Sequence, residues 1–304
     1  MNTPIRIGTR DSELALWQAT TVKKKLEELG HSCQLLPVKA TGDLLLDKPL
    51  YELGITGIFT KTLDVALLKG EIDLAVHSMK DVPTLLPKGI VQAAVLKRGN
   101  PKDILVHKGL DFLNEEGLIA TGSLRRKAQW LHRYPLHETT DLRGNVNTRL
   151  EKLRTNPWNA AIFAAAGLDR IGILPKQHTT LEWMIPAPAQ GAMMVVTMDK
   201  NEHCKRSLAP LNHSDTARCT KVERDFLRTL EGGCTAPIGA LATIEENTLH
   251  FKGILLSLDG QEKFEIHKEV NVAAIEGFGS ACAQEILNRG GKELMKSIKA
   301  QLQK

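Results

Sequence analysis

An alternation constrains this chain more than any other feature. Between Pro4 and Met198, short apolar runs alternate with stretches of helical period, and Gly, Pro, Ser or Asp stand at most junctions. That pattern predicts strands connected by helices, an α/β fold. The clearest run lies in Glu71–Thr84, EIDLAVHSMKDVPT. Ile72, Leu74 and Val76 read as a buried strand of a parallel sheet. The strand runs out at His77–Ser78. Val82–Pro83 blocks any regular continuation, because proline lacks an N–H and forces its predecessor out of helical space. Ser78, Lys80 and Asp81 are therefore expected where a strand ends, which is where open α/β sheets bind ligands.

The alternation comes in two series. In the first, Pro4–Gly8 reads as a strand, and Ala15, Ala19, Val22, Leu26 and Leu29 recur at helical spacing, with Asp11 or Ser12 as cap and Gly30 as stop. Arg10 and Ser12 thus fall at a helix N-terminus, a natural anion site. Gln34–Val38, the Glu71–Thr84 strand and Ile90–Leu96 follow, with a glycine loop at Gly54–Gly57 leading into a helix through Leu68. Lys97–Lys102 reads as a crossing to a second lobe. There Ile104–His107 and Leu118–Ala120 read as strands, Thr121–Gly122–Ser123 as a loop, and Leu124–Leu131 as a helix. Arg125 and Arg126 sit in the first turn of that helix, where its dipole disfavours cations, so their placement makes sense if a strong anion is to bind there. Arg143 and Arg149 follow Thr140–Leu142. Ala160–Ala166 reads as an apolar strand ending in Gly167–Leu168–Asp169–Arg170. Proline-rich Trp183–Gln190 reads as the return crossing, and Gly191–Met198 as a strand of the first lobe. A chain that crosses out and back predicts two lobes with a hinge and a cleft.

From Asn212 the texture changes to a helical stretch, Asp215–Leu230, then strands Leu249–Leu258 and Glu262–Val270 about an Asp259–Gly260 turn, then helices over Ala273–Leu287 and Lys292–Gln301. The expected organisation is lobe 1 over 1–97 and 191–211, lobe 2 over 98–190, and a small α+β domain over 212–304. Cys234 follows Gly232–Gly233, an exposed turn unlike the setting of inert buried thiols. The chain carries net charge +5 but only 4% aromatic residues, which argues against base-stacking nucleic-acid binding and leaves a small anionic ligand. There is no phosphate-binding glycine signature, no H-E-x-x-H and no C-x-x-C, so neither nucleotide nor metal is expected. MNTPIRIGTR lacks the apolar core of a signal peptide and no run reaches transmembrane length, so a cytoplasmic protein with reduced thiols and no membrane partner is expected.

Eight stretches together resemble the porphobilinogen deaminase (hydroxymethylbilane synthase) family: GTRDSELALWQA, GDLLLDKPL, AVHSMKDVPT, TGSLRRKAQ, DLRGNVNTRLEKL, AAAGLDRIG, PAPAQGAM and LEGGCTAPIGA, in family order from end to end. The resemblance implies two periplasmic-binding-protein-like lobes plus a C-terminal domain. It implies a monomeric transferase of tetrapyrrole biosynthesis that condenses four porphobilinogen molecules on a covalent dipyrromethane cofactor and releases hydroxymethylbilane. It puts the thioether anchor on Cys234 and the catalytic acid/base on Asp81. Cofactor and substrate binding fall on Arg10, Ser12, Gln18, Ser78, Lys80, Thr121, Ser123, Arg125, Arg126, Arg143, Arg149, Arg170 and Gln190. Physical chemistry agrees: each porphobilinogen brings two carboxylates, arginine meets a carboxylate in a bidentate fork, and a fixed carboxylate can stabilise the azafulvene cation left when ammonia departs.

The chain departs from the family pattern in places. Gly54–Ile55–Thr56–Gly57, with Glu52 upstream, stands where a glycine- and lysine-rich loop is common. Ala189 replaces a glycine before Gln190, and Gly122 a serine before Ser123. Two other classes fit parts of the pattern. A non-enzymatic two-lobed anion-binding protein would account for the lobes but not for the cysteine loop. A nucleic-acid binder would account for the basic charge but not for arginines gathered at strand ends.

Overall fold

A computed structural model describes residues 3–38, 60–230 and 236–302. The sequence expectations for the Gly54–Gly57 loop, Glu52 and Cys234 lie outside the described residues. The strands are β1 (Ile5–Thr9), β2 (Cys33–Pro37), β3 (Leu74–Ser78), β4 (Ile90–Val95), β5 (Asp103–His107), β6 (Leu118–Ala120), β7 (Glu138–Thr140), β8 (Ala160–Ala164), β9 (His178–Thr180), β10 (Met193–Met198), β11 (Ile238–Glu245), β12 (Thr248–Leu256) and β13 (Lys263–Asn271). The helices are α1 (Glu13–Glu28), α2 (Lys61–Leu68), α3 (Leu124–Arg133), α4 (Val146–Thr155), α5 (Ala165–Arg170), α6 (Glu202–Leu208), α7 (Ser214–Thr229), α8 (Phe278–Ile286) and α9 (Lys292–Leu302).

The chain forms two compact units. Among the described residues, one is built from 3–38, 60–99 and Gly191–Ala217; the other from Asn100–Gln190, 218–230 and 236–302. In the first, the sheet order is β2-β1-β3-β10-β4. Strand β3 is parallel to β1 but antiparallel to β10, so the sheet is mixed rather than parallel. Its strands read as continuous apolar runs all the same, because Leu74, Ala75 and Val76 are buried on both faces. Val22, Leu26 and Ala19 of α1 pack on one side against Ile5, Ile7 and Leu74.

The second unit contains two sheets. One has the order β7-β6-β8-β5-β9, again mixed, with β5 antiparallel to β8. The other is the antiparallel meander β11-β12-β13. Within this unit the meander and α3 share a small core of Ala128, Ile185, Ile254 and Leu256. Gly260 lies so close to the backbone of α3 that a Cβ there would come within 2.8 Å of the His132 nitrogen. Helices α7, α8 and α9 cover the other face of the meander through Phe226, Phe251, Ile286 and Ile298.

Two expected elements have other bounds in the structure. The strand expected over Ala160–Ala166 stops at Ala164, and Ala165–Arg170 is helical, so Arg170 lies in a last helical turn rather than in a loop. Alanine favours the helix, and this run has no β-branched residue to hold the strand beyond Phe163. Likewise the helix expected from Ala273 begins only at Phe278, after Gly277 turns the chain with a φ of 72°.

Candidate active site

The strand ends of each unit can be described in turn. In the first, Thr9 closes β1 and is fully buried; its hydroxyl donates to the Ala15 carbonyl at 3.0 Å and ties the turn to α1. Ser12 takes the N-cap position with extended backbone, and its carbonyl accepts the Leu16 N–H. Gln18, buried on α1, donates from Nε2 to the Ser78 hydroxyl at 2.8 Å. Beyond Ser78 a single 3-10 turn, Met79–Asp81, replaces further strand. Met79 is buried and its N–H donates to the Ala192 carbonyl, and Val82 is buried on the other side. Lys80 and Asp81 are thus held half-exposed on a turn anchored at both ends.

His77, just before this turn, was not singled out by sequence reasoning. It is buried, and its Nε2 has no hydrogen-bond partner among the described residues. Burial, with Arg10 nearby adding to it, pushes the imidazole down to about 4, so the ring is neutral near pH 7.

In the second unit, cations gather at the strand ends. Thr121, after β6, donates its N–H to the Thr140 carbonyl, and the Ser123 hydroxyl caps α3 by accepting the Arg126 N–H at 3.5 Å. Gly122 sits where a Cβ would come within 2.7 Å of the Leu142 carbonyl oxygen, so the small residue lets two strand-end loops approach. Arg125 and Arg126 are buried, and the anion they meet in the structure is not a ligand but the chain's own Asp103. Arg125 Nη1 donates to Asp103 Oδ2 at 2.7 Å and to the Ile185 carbonyl at 2.8 Å. Arg126 donates from Nε to Asp103 Oδ1 at 2.9 Å and from Nη1 to the Ile162 carbonyl at 3.0 Å. Gln190 Nε2 donates to the same Oδ1 and to the Pro101 carbonyl. Burial alone would raise the Asp103 carboxyl; Arg125 and Arg126 outweigh it and hold that carboxyl well below the usual carboxylate range.

Arg143, Arg149 and Arg170 lie further along the same unit. Arg149 donates from Nε to the Gly144 carbonyl at 2.8 Å, which closes the turn that Asn145 caps for α4. Arg143 on the same turn is half-buried, and its Nε has no partner among the described residues. Burial pushes Arg143 down, and pushes Arg170 down to about 10 with Asp169 offsetting part of the effect. A desolvated guanidinium is restored by an anion, and a buried N–H left without an acceptor costs about 1–3 kcal/mol. Residues present at these strand ends therefore fit a ligand rich in carboxylates. The structure brings Arg125, Arg126 and Gln190 together around Asp103, Arg143 and Arg149 around Gly144, and Gln18 to Ser78.

The return crossing is also fixed in this unit. Ala189 adopts a φ of 61°, unusual for a residue with a Cβ. Its N–H donates to Glu223 Oε2 at 2.6 Å, and the other oxygen of that fully buried carboxylate accepts the Ala242 N–H. Asp103 and Glu223 escaped sequence reasoning because each is a single acid whose partners lie far along the chain. The one local signal was a charged residue opening the apolar run Asp103–Val106.

Comparison with known proteins decides the family. Residues 5–206 match the family model described as "Porphobilinogen deaminase, dipyromethane cofactor binding domain", and residues 217–288 match "Porphobilinogen deaminase, C-terminal domain". The chain belongs to the porphobilinogen deaminase family. It is 42% identical to a porphobilinogen deaminase of Moorella thermoacetica over 98% of this chain and 97% of that one, and 41% identical to one of Desulfitobacterium hafniense over 99% of each. Among solved structures it is similar to a probable amino-acid ABC transporter extracellular-binding protein of Bacillus subtilis, with a TM-score of 0.42 and 13% identity over 69% of this chain and 90% of that chain. Among the described residues no helix is long and apolar enough to cross a membrane. Family membership makes the chain an enzyme of tetrapyrrole synthesis and carries the dipyrromethane cofactor with it.

Proposed function

We propose that the chain is a hydroxymethylbilane synthase: a transferase that condenses four porphobilinogen molecules, with loss of ammonia from each, and releases the linear tetrapyrrole by hydrolysis. The observation that carries this reading is Arg143 in lobe 2, whose buried Nε has no acceptor among the described residues. Arg143, Arg149 and Arg170 bind acetate and propionate side chains, as guanidinium forks suit. Arg125 and Arg126 hold a further carboxylate from behind, through donors that Asp103 leaves over. Thr121, Ser123 and Gln190 shape the same end. When bound, the dipyrromethane supplies the pyrrole carbon on which the chain grows, and Cys234 anchors it by a thioether. In lobe 1, Asp81 holds a negative charge where the substrate becomes cationic as ammonia leaves, and moves the proton that the leaving amine requires. Ser78 and Lys80 flank it. Gln18 fixes Ser78, and Arg10 with Ser12 at the start of α1 receives a substrate carboxylate. We assign lobe 1 to 1–97 and 191–211, lobe 2 to 98–190 and the cysteine-bearing domain to 212–304, and expect a cytoplasmic monomer.

The intact mass of the denatured protein tests the reading. Wild type is expected to exceed its sequence mass by two linked pyrrole units and to give a pyrrole colour reaction; Cys234→Ala is expected at its bare mass. A wild type at bare mass that makes no hydroxymethylbilane would return the chain to the non-enzymatic anion-binding alternative.

A further inference from the structure

Asp103 takes no part in the reaction outlined above, yet Arg125, Arg126 and Gln190 converge on it. It is fully buried, opens β5, and is fixed by the strand ladder opposite Ala164. Arg125 takes one of its oxygens; Arg126 and Gln190 share the other. Two guanidiniums on adjacent residues repel each other, and neither would stay in a dry interior without a carboxylate to bridge them. Bridging leaves the cluster with one surplus positive charge. It also fixes the plane of Arg125 so that its Nε, buried, has no partner among the described residues. Gln129 supports the arrangement from the same helix by exchanging both of its amide bonds with Ile185, whose carbonyl also accepts from Arg125.

We propose that Asp103 is a positioning residue: it holds Arg125 and Arg126 as one fixed cationic pair for a carboxylate of the pyrrole chain, without touching the reacting atoms. This rests on the functional reading above. The competing account is a buried ion cluster that only stabilises the fold, and the two differ in what they move. A positioning role changes affinity for the dicarboxylate substrate and leaves the chemical step at Asp81 nearly alone. A structural role lowers all activity in proportion to the folded fraction.

The experiment compares wild type, Asp103→Asn and Asp103→Glu by thermal melt, by intact mass for the share of chains carrying the adduct, and by kinetics per loaded chain. Asp103→Asn is expected to raise KM for porphobilinogen about ten- to hundredfold, the scale of losing a hydrogen bond to a charged group, and to lower the loaded share. The kcat per loaded chain is expected to stay within about threefold, since Asp81 is untouched. Asp103→Glu, which keeps the charge, should recover most of KM. If Asp103→Asn does not fold, Gln190→Met serves: it removes one donor to Asp103 Oδ1 and keeps both ion pairs, and KM is expected to rise about threefold, a fraction of one charge-assisted bond. A folded Asp103→Asn with wild-type KM and loading, or kcat and KM failing only as the folded fraction fails, overturns the proposal. So does a folded Gln190→Met with wild-type KM when that variant has to stand in. A wild type with neither adduct nor product overturns the functional reading and this inference together; an adduct-bearing wild type beside an unaffected Asp103→Asn overturns this inference alone.

Discussion

The two mixed sheets are built to one plan and carry opposite chemistry. In each, three parallel strands are followed by an antiparallel strand and then a fifth: β2-β1-β3-β10-β4 and β7-β6-β8-β5-β9. In each, the antiparallel strand is the one that follows a crossing, and it starts at the C-terminal end of the parallel strand beside it. Met193 opens it opposite Ser78 in lobe 1, and Asp103 opens it opposite Ala164 in lobe 2. The helix after the middle parallel strand begins with Glu13 in one lobe and carries Arg125 and Arg126 in the other. One position, thioether or carboxylate, thus separates a strand end that buries neutral Thr9, Gln18 and His77 from one that buries two guanidiniums. A shared topology fixes where the strand ends are; the residue that starts the antiparallel strand helps set what charge they can hold.

The largest expected effect belongs to lobe 1. Asp81→Asn keeps shape and hydrogen bonding but removes charge and proton, so hydroxymethylbilane formation is expected to fall about 10²–10³-fold, with the melting temperature and adduct unchanged. A folded, loaded variant within tenfold of wild type would dissolve the division of labour between the lobes.

The equivalent strand positions offer a direct contrast. Asp103→Leu leaves two guanidiniums buried without their carboxylate and is expected to destabilise by about 3–5 kcal/mol. Met193→Leu, a near-isosteric swap in an apolar setting, should cost less than about 1.5 kcal/mol. Denaturant midpoints measure both, and equal losses would show that the two positions are not doing different jobs.

A smaller effect sharpens the neutral character of lobe 1. His77 is about 4 folded against 6.5 unfolded, so between those values the unfolded chain binds a proton that the folded one does not. Stability is therefore expected to fall as pH drops from 6.5 toward 4, by on the order of 3 kcal/mol across the window. His77→Gln, which cannot titrate, should flatten that part of the melting-temperature profile. Identical acid profiles for variant and wild type would mean that the ring is not buried as a neutral group.

How much of this could be read in advance differs by level. Elements with many like residues in a row were legible: Ile90–Leu96 matches β4 to one residue, and Lys292–Gln301 matches α9 equally well. Short or locally atypical ones were not. His178–Thr180 is a three-residue edge strand, and β11, which begins at Ile238 directly after Pro237, was not among the strands expected. The mixed character of both sheets was hidden because a strand buried on two faces looks alike in either direction. At the site, the helix dipole alone made a bound anion beside Arg125 and Arg126 expected, but the need for one within the protein was not visible. That Asp103 meets that need was not visible either, because a contact across 22 residues depends on a sheet register that no local pattern encodes.

The return strand of lobe 1 has a consequence for synthesis. Strand β4 reaches its sheet only through β10, yet about a hundred residues, all of lobe 2, are made between them. At roughly 5–20 residues per second, β3 and β4 wait some seconds on the ribosome with the slot between them empty. Lobe 2 has all its strands before lobe 1 does, although it begins later. During that interval the facing edges of β3 and β4 offer unsatisfied N–H and C=O groups, so the nascent chain is most open to mispairing between the emergence of Val95 and that of Met198.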